Sequence, residues 1–431
     1  MRRVGRIAEV MNEKVRTFID GCGFLLDREM LVGVMNAFTT EADAALAMKP
    51  SSLRMIDSHL PGCFGGGVLS DKPVIVVDAG GTNLRVAAVR LSERGPVFSH
   101  MRRTVMPGTE GLVSADEFHR VVAAEVDAVR ACEPQAVGIG YCFSYECRPL
   151  SDHDAELVAW AKQVAAPEVV GHRVGAELVR RLSGGPLPVV VLNDTVATLL
   201  AGFSRQDTVC PGQIGFILGT GTNLACVENG TIRNAESGEC DKVPRTECDR
   251  MFDAALPDAG TAQFEKMVSG AYLGGVGLRL LKRAAGAGLV SEAGLKDVAE
   301  LQSRDLDAFA AGDGEERVLT SAIASKDLAV SREIARAVFR RAALLTAAHL
   351  AAFVRRSAEA GLRPVRITVD GSTYWKVRSV DFNGLVQEGL AALVPDVPLE
   401  VVRIDEAPMV GAAVAVGICL TENKTGEDAQ R

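Results

Sequence analysis

The chain is poor in what several function classes require. Its 431 residues include two tryptophans, four tyrosines and six histidines. The histidines show no His-x-x-x-His spacing, and no Cys/His cluster resembles a zinc site. Ten cysteines (22, 63, 132, 142, 147, 210, 226, 240, 248 and 419) are scattered without a single Cys-x-x-Cys, so they read as reduced, mostly buried thiols. There is no Gly-x-Ser-x-Gly elbow for a serine hydrolase, and neither the Walker pattern nor Gly-x-Gly-x-x-Gly occurs. Lys+Arg total 47 against 55 Asp+Glu, a formal charge of −8 with no long basic run. That balance argues against nonspecific nucleic-acid binding and leaves room for a local phosphate pocket. The longest apolar stretch near an end, residues 408–420, is short of the roughly 20 that span a bilayer. The amino-terminal segment regains charge before any signal-peptide core. The expectation is a cytoplasmic protein with no membrane or nucleic-acid partner and an open oligomeric state.

What is present is the material of a folded protein: 48% hydrophobic and 24% charged residues, in a length that favours two or three packed units. Apolar residues recur every three to four positions from Phe18 to Phe38, so residues 1 to about 60 read as helical until the breakers at 61–67. Strand patterns follow at 74–78 and 84–91, joined by a glycine turn, then at 136–143, 189–192, 214–218, 222–228, 365–369 and 399–404. Helices are expected at 114–132, capped by Ser114 with Glu117 three residues on, and at 261–288, 331–360 and 381–393. One echo stands out. Gly81-Thr82-Asn83-Leu84 returns as Gly221-Thr222-Asn223-Leu224, each time between two apolar strands. The repetition suggests two related α/β halves, each presenting a hairpin to a shared cleft.

Three strand–turn sites have the composition to cradle phosphate: Asp78-Ala-Gly80-Gly81-Thr82-Asn83, Gly219-Thr220-Gly221-Thr222-Asn223 and Asp370-Gly371-Ser372-Thr373. Glycine lets backbone N–H groups approach an oxyanion, and hydroxyls add donors. Each turn alone reads more readily as plain hairpin chemistry, and three together, two of them matching, weaken that reading. Asp78 cannot donate to phosphate, and holding Mg²⁺ directly or through water suits it better. At the end of an apolar strand, Asn193-Asp194 supplies a helix cap and a candidate general base where open α/β sheets place ligands. Glu236 and Glu265 are less specific. A lone glutamate in a helix is usually solvated, and Ser144 and Lys162 are equally weak by themselves.

Taken in order, these residues resemble the hexokinase family of the actin-like ATPase superfamily, over about residues 74–417. The most specific block is Arg245-Thr-Glu-Cys-Asp249 followed by Gln263-Phe-Glu-Lys-Met-Val-Ser-Gly-Ala-Tyr-Leu-Gly274. The resemblance implies an α/β fold with two lobes around a deep cleft (ribonuclease H-like), each lobe on a mixed five-stranded sheet and together one catalytic unit. It implies residues 1–66 as a helical segment on the large lobe, 67–194 as the small lobe, 195–408 as the large lobe, and 409–431 as a helix returning to the small lobe. It further implies ATP- and Mg²⁺-dependent phosphorylation of a hexose, glucose first, at the 6-hydroxyl, as the entry step of glycolysis, with the lobes closing on the sugar. Asp194 would be the base. Ser144, Lys162, Asn193, Glu236 and Glu265 match sugar positions, and Asp78, Gly80, Gly81, Thr82, Asn83, Arg85, Gly219, Thr220, Gly221, Thr222, Asn223, Gly371 and Ser372 match nucleotide positions. The chain departs from the family at four places. Phe-Ser-Phe-Pro reads Phe143-Ser-Tyr-Glu146, and Trp-Thr-Lys reads Trp160-Ala-Lys162. Thr-Glu-Trp-Gly reads Ala235-Glu-Ser-Gly238, and Gly-Ser-Gly-Lys-Gly reads Ala-Pro-Met-Val-Gly411 after Glu406. These departures suggest altered affinity or sugar range, or alternatively a sugar-binding regulator without turnover.

Overall fold

The computed structural model describes residues 12–62, 70–160, 164–205, 208–314 and 316–428. Among them the strands are, in chain order, β1 (Ile56–Pro61), β2 (Ser70–Ala79), β3 (Asn83–Ser92), β4 (Gly95–Val105), β5 (Ile139–Phe143), β6 (Glu146–Pro149), β7 (Ala155–Ala159), β8 (Val189–Leu192), β9 (Gly212–Leu218), β10 (Thr222–Glu228), β11 (Thr231–Asn234), β12 (Val365–Asp370) and β13 (Leu399–Val402). The small-lobe sheet has the order β4-β3-β2-β5-β8 and the large-lobe sheet β1-β11-β10-β9-β12-β13, with β6 and β7 as a separate hairpin. Each sheet begins with an antiparallel meander (β2-β3-β4, β9-β10-β11) and continues with two strands parallel to the first (β5 and β8, β12 and β13). The Gly-Thr-Asn-Leu echo falls at the same turn of each sheet.

Three expectations need correcting. The larger sheet has six strands rather than five, because β1 adds antiparallel to β11, pairing Ile56 with Asn234 and Asp57 with Arg233. Helix therefore ends well before residue 60. The helix Arg28–Leu46 ends at Leu46, and Glu41 within it holds the returning chain, its carboxylate accepting from the Ser52 backbone N–H at 2.6 Å and the Ser52 hydroxyl at 2.7 Å. The expected helix over 261–288 is interrupted, as Glu265–Val268 and Leu273–Gly286. In the gap the Gly270 and Ala271 amides donate to the carbonyls of Gly219 and Thr220 at 2.8 and 3.0 Å. Helical hydrogen bonding is given up to dock this segment on the second glycine turn.

Apolar side chains gather in three cores. One fills the large lobe around the 32-residue helix Leu328–Glu359, and includes Phe38, Phe216 and Phe264. One fills the outer face of the small lobe around Phe118, Tyr141 and Phe143. The third lies between the sheets, where helices Asp194–Ala201 and Ala407–Asp428 cross. A Cβ on Gly411 would overlap the Ala197 carbonyl, so the two helices meet backbone to backbone. That contact sets Asp194, at the start of the first helix, at the base of the space between the lobes.

Candidate active site

Asp194 opens its helix because β8 delivers Asn193 as the cap, its side-chain oxygen accepting from the Thr195 N–H at 2.8 Å. The negative charge of Asp194 contributes to raising the pKa values of Asp78, Glu236 and Asp370, after the dominant effect of burial in each case. Acids from both lobes therefore surround it.

On one side lies a cavity lined by Asn193, Glu236, Asn234, Tyr145 and Glu146, with Ile56 and Ser58 from β1. Glu236 adopts a left-handed backbone conformation (φ 51°), which a glutamate tolerates only under tertiary constraint. A ladder of amides supplies that constraint. The Asn223 amide donates to Asn234 at 2.8 Å, and the Asn234 amide donates to Glu236 Oε1 at 2.7 Å. Asn223 was grouped with the nucleotide turns, yet its side chain works on the Glu236 side. Glu265 sits behind the second turn and accepts from the Thr222 N–H at 2.7 Å. A Cβ on Gly221 would collide with Glu265, so the glycine makes room for the acid. Burial, reinforced by Glu239 and Glu236 against the Thr222 bond, pushes Glu265 up to about 6. The Ser144 N–H donates to the Ala79 carbonyl at 3.3 Å and the Tyr145 hydroxyl to the Gly80 carbonyl at 2.5 Å, which ties this segment to the first turn. Lys162 lies outside the described residues.

On the other side, Gly219, Thr220 and Ser372 line a second cavity of about 500 Å³ with Gly270, Ser303 and Lys376. Gly371, at φ 117°, has no room for a side chain against the Leu218 carbonyl. Thr373 closes the corner by donating to Gly219 O at 2.8 Å. The first turn lies outside both linings. Thr82 and Asn83 are exposed, and the Asn83 amide donates to Thr82 Oγ1 at 2.8 Å. Asp78 is buried and accepts from Arg85 Nε at 2.8 Å and Nη2 at 2.5 Å, while Arg85 Nη1 pairs with Glu406. Arg85, matched to the nucleotide site, is thus held between two acids. Asp78 and Glu406 bond the one guanidinium, whose charge also reaches Asp370, and Asp194 acts on both Asp78 and Asp370, so the acids outnumber the base and the donor set fits an added cation. Among the described residues no group of three or more Asp, Glu, His or Cys is arranged to cage a metal. A Mg²⁺ bound here would take most of its ligands from phosphate and water.

Sequence reasoning passed over Asn234, Tyr145, Ser303 and Lys376. Asn234 carried a readable signal, an asparagine two residues before a key acid. Ser303 and Lys376 reach the cavity only through tertiary packing. The block 245–249, so prominent in the sequence, holds the scaffold. Thr246 and Asp249 form a capping box, and Asp249 takes both Arg341 Nη1 and Nη2, at 2.8 and 2.6 Å.

Paired sheets of matching topology around a cleft that gathers acids from both lobes define an actin-like ATPase fold. Two family models, both described as hexokinase, match residues 21–203 and 213–418. The chain belongs to the hexokinase family. It is similar to Hexokinase-1 of Schizosaccharomyces pombe, 26% identical over 94% of this chain and 92% of that protein. It is also similar to mouse Hexokinase HKDC1, 28% identical over 92% of this chain and 47% of that protein. The chain thus spans about half the length of the mammalian relatives it matches. A hexokinase crystal structure shares the fold at TM-score 0.81 and 24% identity, covering 95% of this chain and all of that one. A hexokinase from Schistosoma mansoni complexed with glucose does so at 0.75 and 23%, covering 94% and 98%.

Proposed function

We propose that the protein transfers the γ-phosphoryl group of ATP to the 6-hydroxyl of a hexose, with glucose the first candidate and Mg²⁺ the accompanying cation, in the cytoplasm and as the entry step of sugar breakdown. The observation that carries this reading is the position of Asp194 between the Glu236 cavity and the acids around Arg85. Asn193, Glu236 and Glu265 supply acceptors and an amide to ring hydroxyls, which are costly to bury unmatched, at about 1–3 kcal/mol each. The backbone amides of the three turns and the hydroxyls of Thr82, Thr220 and Ser372 offer donors to phosphate. Asp194 accepts the 6-hydroxyl proton as that oxygen bonds to the γ-phosphorus, and the bond to the bridging oxygen breaks with its electrons leaving on ADP. Mg²⁺, when bound, neutralises charge on the phosphate oxygens. Enclosure between the lobes keeps water from competing as acceptor.

The test is production of sugar 6-phosphate from Mg-ATP with glucose, mannose and fructose in parallel, for wild type and Asp194→Asn. The expected result is turnover that falls about 10²–10⁴-fold in the variant, with glucose binding retained. A folded wild type that binds glucose and turns over none of the three sugars would replace this reading with that of a sugar-binding regulator.

A further inference from the structure

Beside the cavity next to Glu236 an ion pair joins the lobes, and its acid, Glu146, belongs to the cavity lining. Arg54 leads into β1 of the large lobe, and its backbone N–H donates to the Ala235 carbonyl, next to Glu236, at 3.0 Å. Its neighbours Leu53 and Met55 are buried in the large-lobe core. Glu146 opens β6 in the small lobe, between Tyr145, which is buried in the small-lobe core, and Cys147, which packs against it. Arg54 Nη1 meets Glu146 Oε1 at 2.5 Å, and the two side chains are about half exposed. The chain has this glutamate where the family segment has proline, so the pair belongs to this sequence. With it formed, the cavity offers only about 40 Å³. An apolar cavity of about 150 Å³ holds one benzene ring, so a hexose, with twelve heavy atoms, does not fit until the walls part.

We propose that Arg54 and Glu146 form a latch across the mouth of this cavity, which must open before the sugar enters. The inference rests on the hexose reading of the site. Parting the walls leaves Arg54 with an alternative, since the charges of Glu236 and Glu239 on its own lobe also reach it. Half-exposed pairs of this kind are weak and screened by salt. The latch therefore governs how fast sugar enters and leaves, and hardly affects whether the protein folds.

The reporter is already in place. Trp160 packs edge-on against Tyr145 with ring centroids 4.7 Å apart, and the chain's other tryptophan, Trp375, can be changed to Phe to isolate it. In that background, stopped-flow fluorescence with glucose should show association about 2–5-fold faster in Arg54→Ala and in Glu146→Ala. The double variant should be no faster than either, and the swapped pair Arg54→Glu/Glu146→Arg should return toward the original rate. Added salt should speed the parent and leave the single variants unchanged. Unchanged rates, or increments that multiply in the double variant, would overturn the latch. If glucose fails to bind the parent, the hexose reading fails, and the latch is then judged by hydrogen exchange without sugar. Faster exchange of residues 53–58 and 145–149 in each single variant, with no further gain in the double, supports it. No change in either segment rejects it.

Discussion

Two acids of the large lobe, Asp249 and Glu265, are both withdrawn from water, and their carboxyl groups respond in opposite directions. Burial raises both. At Asp249 the Arg341 guanidinium, bidentate and itself stacked 4.1 Å over the Phe24 ring, outweighs that effect and holds the carboxyl below its usual range. At Glu265 a backbone N–H and the charge of Lys266 oppose burial too weakly, two further glutamates reinforce it, and the group rises to about 6. Scaffold charge is neutralised within the fold, whereas cleft charge is left unbalanced. An unbalanced acid is a cost to the empty protein that a hydroxyl-rich ligand can offset, and on this contrast Glu265 belongs to a binding site while Asp249 does not.

The contrast is broken most severely at Arg341. Arg341→Met strands a buried carboxylate, and denaturant unfolding should show a loss of about 3–5 kcal/mol. Adding Asp249→Leu to the same chain should recover much of it, because a matched apolar pair removes the stranded charge. A loss below about 1 kcal/mol in the single variant would mean that Asp249 does not depend on its partner.

Glu265→Gln should act the other way. The folded carboxyl titrates near 6 against an ordinary 4.5, so its contribution to stability is complete below about 4.5 and is lost as pH rises through about 6. Glutamine stays neutral throughout. The variant should therefore match wild type in acid and exceed it by about 2 kcal/mol above pH 7. Hexose affinity should move oppositely. Wild-type binding strengthens as pH rises through about 6, while the glutamine variant binds about 10–100-fold more weakly at neutral pH, the worth of a hydrogen bond to a charged acceptor, with a flat profile. A variant both less stable and equally pH-dependent would show that Glu265 serves the scaffold after all.

How much of this was legible in the sequence depends on the range of the interaction that decides it. The paired hairpins could be read because strand, turn and strand are contiguous, and the repeated Gly-Thr-Asn-Leu announced a shared topology. Ser114 caps its helix as its local sequence suggests, accepting from the Glu117 N–H at 3.1 Å. β1 was missed because its partner β11 lies far along the chain, and β4 because, as an edge strand, its residues are mostly partly or fully exposed and lack clean alternation. Glu265 looked like a solvated helix residue. Only the docking of Gly270 and Ala271 onto the second turn brings it beneath Thr222. Arg54 and Glu146 could not be linked at all, since nothing local pairs residues on opposite lobes.

His349 shows a third way to treat a buried ionisable group. It lies at the centre of the large-lobe core, with the rings of Phe38, Phe264, Phe216 and Phe353 within 4.3 to 5.6 Å of its own. Neither ring nitrogen has a hydrogen-bond partner. Burial lowers its pKa to about 3, so the folded protein keeps it neutral while the unfolded chain protonates it near 6.5. Stability must then fall as pH drops from about 6.5 toward 3, by about 1.4 kcal/mol per unit. The raised cleft acids act with the opposite sign over much of this range, which makes the two effects separable. Between pH 6 and pH 5, His349→Phe should lose about 1 kcal/mol less than wild type in denaturant unfolding, while Glu265→Gln should lose more than wild type. If His349→Phe keeps the wild-type acid slope, the core histidine does not set it, and the division between a discharged scaffold and a charged cleft would have to be redrawn.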